Sequence, residues 1–145
     1  MARIYVASSW KNDLQPMVVQ KLRLHNHEVY DFRNPWDVKP FKWQYKTIGL
    51  GPDGNVLDPE IYKAVMLTDS QVASNYLSDY RAMQWADVGI LVQPCGRSAH
   101  LELGYMAGRG KRTIILLRSG EPPDLMQLMA DHLCISIGEI LELLK

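Results

Sequence analysis

Three side chains in this sequence carry chemistry at places where a fold could use it: Glu102, Asp79 and Tyr5. Carboxylates and phenols serve as nucleophiles, proton donors and hydrogen-bonding orienters. Glu102 lies in the stretch Gly96 to Lys111, GRSAHLELGYMAGRGK. Two short apolar runs, Val88–Val92 and Thr113–Leu117, flank it and suit buried parallel strands. The stretch between them carries helix signals: Ser98 as an N-cap, Gly108 and Gly110 near the end, and basic residues in the last turn. A strand–helix–strand unit is therefore expected, with Glu102 in the first turns of the helix. That places it close to the carboxyl end of the preceding strand, where open α/β sheets bind ligands. A first-turn glutamate also favours the helix dipole, so position alone leaves both readings open.

The elements that must hold these groups follow along the chain. Arg3 to Ala7 reads as a first strand carrying Tyr5, and it ends in the small polar turn Ser8-Ser9-Trp10-Lys11-Asn12. A helix is expected over roughly Asp13 to His25, with Pro16 in its first turn, and a second strand over Glu28 to Phe32. Two helices follow, Pro59 to Thr68 and Asp69 to Ala86; the second has Val72, Tyr76, Leu77, Tyr80 and Met83 on one broad face. After the strand–helix–strand unit come a helix at Pro122 to Ala130, a last strand at Leu133 to Ile137 and a closing helix from Gly138. Such alternation implies a flavodoxin-like, doubly wound α/β fold with a five-stranded parallel sheet in the order 2-1-3-4-5. The crevice between strands one and three then brings Tyr5 to Lys11 beside Gly96 to Glu102.

The stretch Asn34 to Asp58 breaks the pattern. It holds three prolines and three glycines among Trp36, Phe41, Trp43 and Tyr45. A long irregular segment of this kind is a functional loop or a disordered one, and its aromatics favour an ordered lid. We take 1–145 as one domain with a lid or insert at 34–68. A loop that only covers a sheet edge remains the alternative.

The totals narrow the class. The 145 residues suffice for one core, and 16 Lys+Arg balance 16 Asp+Glu. A neutral chain is not an electrostatic binder of nucleic-acid polymer. No apolar run reaches the roughly 18 residues of a membrane helix. Met1-Ala2-Arg3 runs straight into a strand. Cys95 and Cys134 make neither a disulfide framework nor a zinc pattern. The expectation is a cytoplasmic protein with no membrane, no metal and no cofactor. His25 and His27 lack a further ligand set, and His100 reads as helix surface. Cys95, near a helix N-terminus, is a candidate for a lowered pKa but has no evident base. Asp87 reads as structural. Alone, Tyr5 would be an ordinary strand aromatic and Asp79 a solvated helix residue that flanks Tyr80 rather than joining the apolar face.

Taken together, three stretches resemble the nucleoside 2-deoxyribosyltransferase superfamily, which includes 2′-deoxynucleoside 5′-phosphate N-hydrolases. They are Ile4-Tyr5-Val6-Ala7-Ser8-Ser9, then Ser78-Asp79 with Trp85-Ala86-Asp87-Val88, then Leu101-Glu102-Leu103-Gly104-Tyr105 through Gly110-Lys111. The match covers most of the chain apart from Asn34 to Thr68. The resemblance implies cleavage of the N-glycosidic bond of a nucleotide or nucleoside, with the sugar passed to water or to another base. It implies Glu102 as the nucleophile that traps the oxocarbenium-like C1′, Tyr5 as its orienter and Asp79 as the acid near the base. It also implies a homodimer or larger homo-oligomer, with the Pro122 to Met129 region contributing to a neighbouring subunit's site.

The sequence departs from the family at the sugar's 5′ end. Relatives often have a glycine in the first turn, where Ala7-Ser8-Ser9 stands here. Six residues before the glutamate, transferases tend to carry an acid and nucleotide hydrolases a serine; this chain has Gly96, followed by Arg97 and Ser98. Ser8, Ser9, Lys11, Gly96, Arg97 and Ser98 together offer donors and positive charge with nothing acidic, which favours a 5′-monophosphate. Trp36 and Trp43 are candidates for stacking on the base. A non-catalytic nucleotide-binding sensor on the same fold is the alternative reading. A receiver-type domain is excluded by the absence of an acid cluster at the end of the first strand.

Overall fold

A computed structural model describes residues 1–42 and 49–145 of the chain. The described residues form two units, Met1–Phe32 with Ala82–Lys145, and Arg33–Arg81. The first unit holds the sheet. Its strands are β1 (Arg3–Ala7), β2 (Glu28–Asp31), β3 (Val88–Val92), β4 (Arg112–Leu116) and β5 (His132–Cys134). All neighbours pair in parallel, in the order β2-β1-β3-β4-β5, as the alternation of elements implies. The strands are short and apolar because both faces of the sheet are covered: every residue of β3 is buried.

Alternation along the strands sorts their side chains by face. Ile4, Val6, Val88, Ile90, Val92, Ile114 and Leu116 pack with Val18, Val19 and Leu22 of α1 (Gln15–Leu24) and Ile140 of α5 (Ile137–Leu143). Residues of the other parity face α4 (Arg97–Gly108). The register sets Tyr30, Tyr5, Gly89 and Thr113 side by side on that face. Gly89 lets α4 come close. A Cβ built there would meet Met106 Sδ at 2.7 Å and Leu103 Cδ1 at 3.2 Å, both from α4.

Several element ends differ from the sequence reading, each for a local reason. α1 starts at Gln15 rather than Asp13, because the Asn12 side-chain oxygen accepts from Leu14 N and Gln15 N and prolongs the turn. α4 starts at Arg97, capped by extended Gly96 rather than by Ser98, which lies inside the first turn. The Pro122 to Ala130 helix is instead a five-residue 3-10 helix, Leu125–Met129, with Asp124 accepting from Met126 N. Pro122 and Pro123 disfavour the helical conformation in the residues before them and shorten the element. Ser136 caps α5 through Glu139 N, so that helix begins at Ile137 and β5 ends at Cys134.

The Arg33–Arg81 unit holds α2 (Pro59–Thr68) and most of α3 (Ser70–Trp85). Asp58 caps α2 and Asp69 caps α3, each accepting two backbone N–H groups. Among the irregular residues, Leu50 and Val56 form an antiparallel bridge. Two side chains of α3 fasten the preceding loop: Ser78 Oγ donates to Asp37 at 2.8 Å, and Asn75 Nδ2 donates to Lys39 O at 2.8 Å. The expected apolar face of α3 is corrected. Tyr76 and Leu77 are exposed, while Val72, Ser78, Ala82, Met83 and Ala86 are buried.

Gly89→Val should therefore destabilise the protein by about 1–3 kcal/mol through overpacking against α4. Urea unfolding of wild type and variant reads this as a lower midpoint with an unchanged slope.

Candidate active site

The site is built at the carboxyl ends of β1 and β3, where the chain switches direction across the sheet. Two turns wall it. The first is Ser8 to Asn12 after β1, and the second is Gln93 to Gly96 between β3 and α4. Ser8 Oγ donates to Val92 O at 2.8 Å, and Asn12 Nδ2 donates to Val92 O and Pro94 O, both at 3.0 Å. Ser9 Oγ accepts from Lys11 N at 3.2 Å. Gln93, buried at the base of the second turn, accepts from Arg118 N through Oε1 at 2.9 Å. The amino end of α4 opens on this crevice, with Gly96, Arg97 and Ser98 all exposed. Lys11 is exposed on the facing turn.

Tyr5 is fully buried on the α4 face of the sheet. Its ring stacks on that of Tyr30, centroids 5.4 Å apart and 14° between planes. Glu102 is half-buried on α4. It stands three residues after buried Ala99 and four before buried Met106, on the shoulder of the stripe that faces the sheet. Leu101, next to it, points the other way and is 76% exposed. Glu102 is thus directed toward the protein rather than into solvent.

Asp79 belongs to the Arg33–Arg81 unit and is half-buried. It lies seven residues after Val72, four before Met83 and seven before Ala86, so it shares their stripe on α3. Reading it as flanking the apolar face is corrected: the apolar face is turned from its expected position, and Asp79 is on it. Trp36, in the same unit, is 58% exposed. Trp43 lies outside the described residues.

Other residues hold the frame. Lys111 donates through Nζ to Gln84 O at 2.7 Å and to Ala86 O, capping the last turn of α3. Burial pulls its pKa below the ordinary lysine range, partly countered by Asp87. Gly110 before it has φ of 71°, so the Gly-Lys pair turns the chain and then ties α3 to the α4–β4 turn. Asp87 takes Arg3 Nε at 3.0 Å and Nη2 at 2.6 Å. Its carboxyl is held below the usual range chiefly by that hydrogen bond, in keeping with a structural role. His27 Nδ1 accepts from Ala2 N at 3.1 Å, and His25 Nδ1 lies 2.8 Å from Lys21 O. Among the described residues, no three His, Cys, Asp or Glu side chains are grouped to hold a metal. No helix among them is long and apolar enough to cross a membrane. Sequence reasoning missed Asn12 and Lys111 as frame residues. Asn12 carried a signal, since asparagine before a helix is a preferred cap; Lys111 acts on a carbonyl 25 residues away and carried none.

Cys95 corrects an expectation. Its thiol is pushed up to about 12, first by burial and then by the Glu121 and Glu102 carboxylates. His100 Nδ1 is 2.9 Å from Gly96 O and 3.9 Å from Cys95 Sγ. Proximity to a helix N-terminus does not offset burial beside two acids. At neutral pH Cys95 is a protonated thiol and no nucleophile.

No family model matches the sequence, and no curated protein does. Solved structures do share its fold. A 2-deoxyribosyltransferase from the psychrotolerant bacterium Bacillus psychrosaccharolyticus superposes with a TM-score of 0.63 at 20% identity, over 96% of this chain and 90% of that one. A CMP N-glycosidase from Clostridium botulinum superposes with a TM-score of 0.52 at 17% identity, over 98% of this chain and 96% of that one. The likeness covers the full α/β arrangement.

Cys95 should resist alkylation. At pH 8 a thiol with a pKa of about 12 is roughly 10⁻⁴ thiolate, so iodoacetamide should label Cys95 orders of magnitude more slowly than a free cysteine. Peptide mass mapping of the native protein against the denatured protein checks it.

Proposed function

We propose that this protein cleaves the N-glycosidic bond of a nucleoside 5′-monophosphate, with Glu102 as nucleophile. The observation that carries this reading is the placement of Glu102. It is half-buried on the sheet-facing shoulder of α4, and Tyr5 is buried on the sheet face that α4 covers. Both neighbours in fold act on N-glycosidic bonds, one named for 2-deoxyribosyl transfer and one as a CMP N-glycosidase. The resemblance in the Tyr5, Asp79 and Glu102 stretches points the same way.

The chemistry balances with these residues. A Glu102 oxygen attacks C1′ as the bond from C1′ to the base nitrogen breaks. Tyr5 holds the carboxylate in line through its hydroxyl, and Asp79, assigned by the resemblance, gives the departing base its proton. Water or a second base then attacks C1′ and frees the carboxylate. The 5′-phosphate is assigned to the amino end of α4 at Gly96, Arg97 and Ser98, facing Ser8, Ser9 and Lys11. The exposure of Lys11, Gly96, Arg97 and Ser98 supports the assignment. Trp36 is kept as a candidate for stacking on the base.

A second copy of the chain is the partner this reading calls for. Leu125, Met126, Leu128 and Met129 of the 3-10 helix are 54–78% exposed, and Leu101 of α4 is 76% exposed. Leu101 lines one groove with Arg97, His100, Glu121 and Asp124, and Met126 and Met129 line another that shares His100 and Asp124. Apolar side chains bared in this number favour a protein contact, and the resemblance implies that this region contributes to a neighbouring subunit's site.

One kinetic panel tests the chemistry, scoring free base from nucleoside 5′-monophosphates and from the matching nucleosides. Glu102→Ala should lower turnover by at least about 10³-fold with the fold intact by circular dichroism. Asp79→Asn should slow poor leaving groups more than activated ones. Arg97→Ala should shrink the preference for the monophosphate by about tenfold or more. Near-normal turnover in Glu102→Ala, or a wild type that prefers the nucleoside, ends the respective claim. Light scattering should give a dimer or larger species, and Leu128→Glu should shift it toward monomer; a fully active monomeric wild type removes the oligomer from the reading.

A further inference from the structure

We infer that Asn12 is the positioning residue that sets the separation of the two turns walling the crevice, and through it the grip on the substrate's 5′-phosphate. The inference rests on the reading above for the identity of the substrate and on geometry for the rest. Asn12 is 1% exposed. Its carboxamide uses both donors and both lone pairs. Nδ2 donates to Val92 O and Pro94 O, each at 3.0 Å, and Oδ1 accepts from Leu14 N at 2.8 Å and Gln15 N at 3.0 Å. One side chain thus joins the end of β3, the β3–α4 turn and the start of α1.

No other residue type reproduces this. Aspartate keeps the cap on Leu14 and Gln15 but has no donor, and it sets a charge against two carbonyl oxygens. Serine offers one donor on a shorter stem. Glutamine is a methylene too long for a buried site. Ser8 Oγ adds one donor to Val92 O, and Asn12 reaches further, to Pro94, two residues before the Gly96 cap of α4. The consequence is selective. α4 is held to the sheet by Leu103 and Met106 over Gly89, so Glu102 keeps its place when the turn beside Gly96 shifts. The phosphate-facing groups outside the helix, Gly96 and Ser8 to Lys11, do not.

The test compares wild type, Asn12→Asp and Asn12→Ser for kcat and KM on a nucleoside 5′-monophosphate and on its nucleoside, well below each variant's melting temperature. Asn12→Asp should raise KM for the monophosphate by about tenfold or more, leave kcat within about threefold and barely move the nucleoside values. Asn12→Ser should move the same way by less. A residue that only supports folding would lower the melting temperature without this split between substrates. Equal effects on both substrates, or a fall in kcat at constant KM, overturn the inference. Calorimetric binding of the same monophosphate separates the two levels of argument. If wild type binds it but releases no base, the catalytic reading fails, and a weaker dissociation constant in Asn12→Asp still upholds the inference. If wild type does not bind it, the inference fails too.

Discussion

The structure depends on the contact between α4 and the sheet at Gly89. Parallel register places Gly89 between Tyr5 and Thr113, and the missing side chain leaves a notch that Met106 and Leu103 fill. Helices pack on sheets through side chains about a residue thick; removing one lets the helix drop closer. The depth of α4 in turn sets where its shoulder lies, and Glu102 is on that shoulder. Tyr5, stacked on Tyr30 in the next strand, occupies the sheet surface beside the notch. Glu102, in the second turn of α4, is thereby half-buried.

Polar side chains fasten the ends of the elements around this contact. Strand ends expose carbonyl oxygens, and a buried carbonyl needs a donor. Val92 O receives two, from Ser8 and Asn12. The carbonyls at the end of α3 are met by Lys111, and Arg118 N is met by Gln93. Each fastening joins segments far apart in sequence. The Ser8, Asn12 and Gln93 bonds hold the turns at the carboxyl ends of the strands, whereas the Lys111 bonds lie at the amino ends of β3 and β4; such bonds are directional where dispersion and burial are not. The serine-rich first turn is therefore as much a structural joint as a ligand-facing surface: Ser8 spends its proton on Val92 O and keeps oxygen lone pairs for other donors.

Electrostatics separates the candidate groups. Burial and two neighbouring carboxylates keep the Cys95 thiol protonated, although it sits near the start of a helix. Arg97, Ser98 and Lys11, at the same mouth, are exposed and remain available to an anion. The same region thus withholds a thiol nucleophile while exposing cationic and hydroxyl groups.

Much of this was legible in the sequence. Short apolar runs and period-3.6 apolar patterns are local, so the strands and the strand–helix–strand unit around Glu102 could be read directly, and the alternation of elements implied the sheet order. So could Tyr5 on the first strand; the lack of acids in the stretch around Gly96 could be read too, but not that Glu121 and Asp124 line a pocket with it. What the tertiary structure alone decided is non-local. Which side chains of α3 are covered is decided by packing: Val72, Ser78, Ala82, Met83 and Ala86 are buried, while Tyr76 and Leu77 are exposed. The partners of Asn12 and Lys111 are 80 and 25 residues distant, beyond the reach of any periodicity. The state of Cys95 follows from burial and from Glu121 across a turn. Local propensity specifies which element a residue belongs to; only packing specifies which way it faces and which charges surround it.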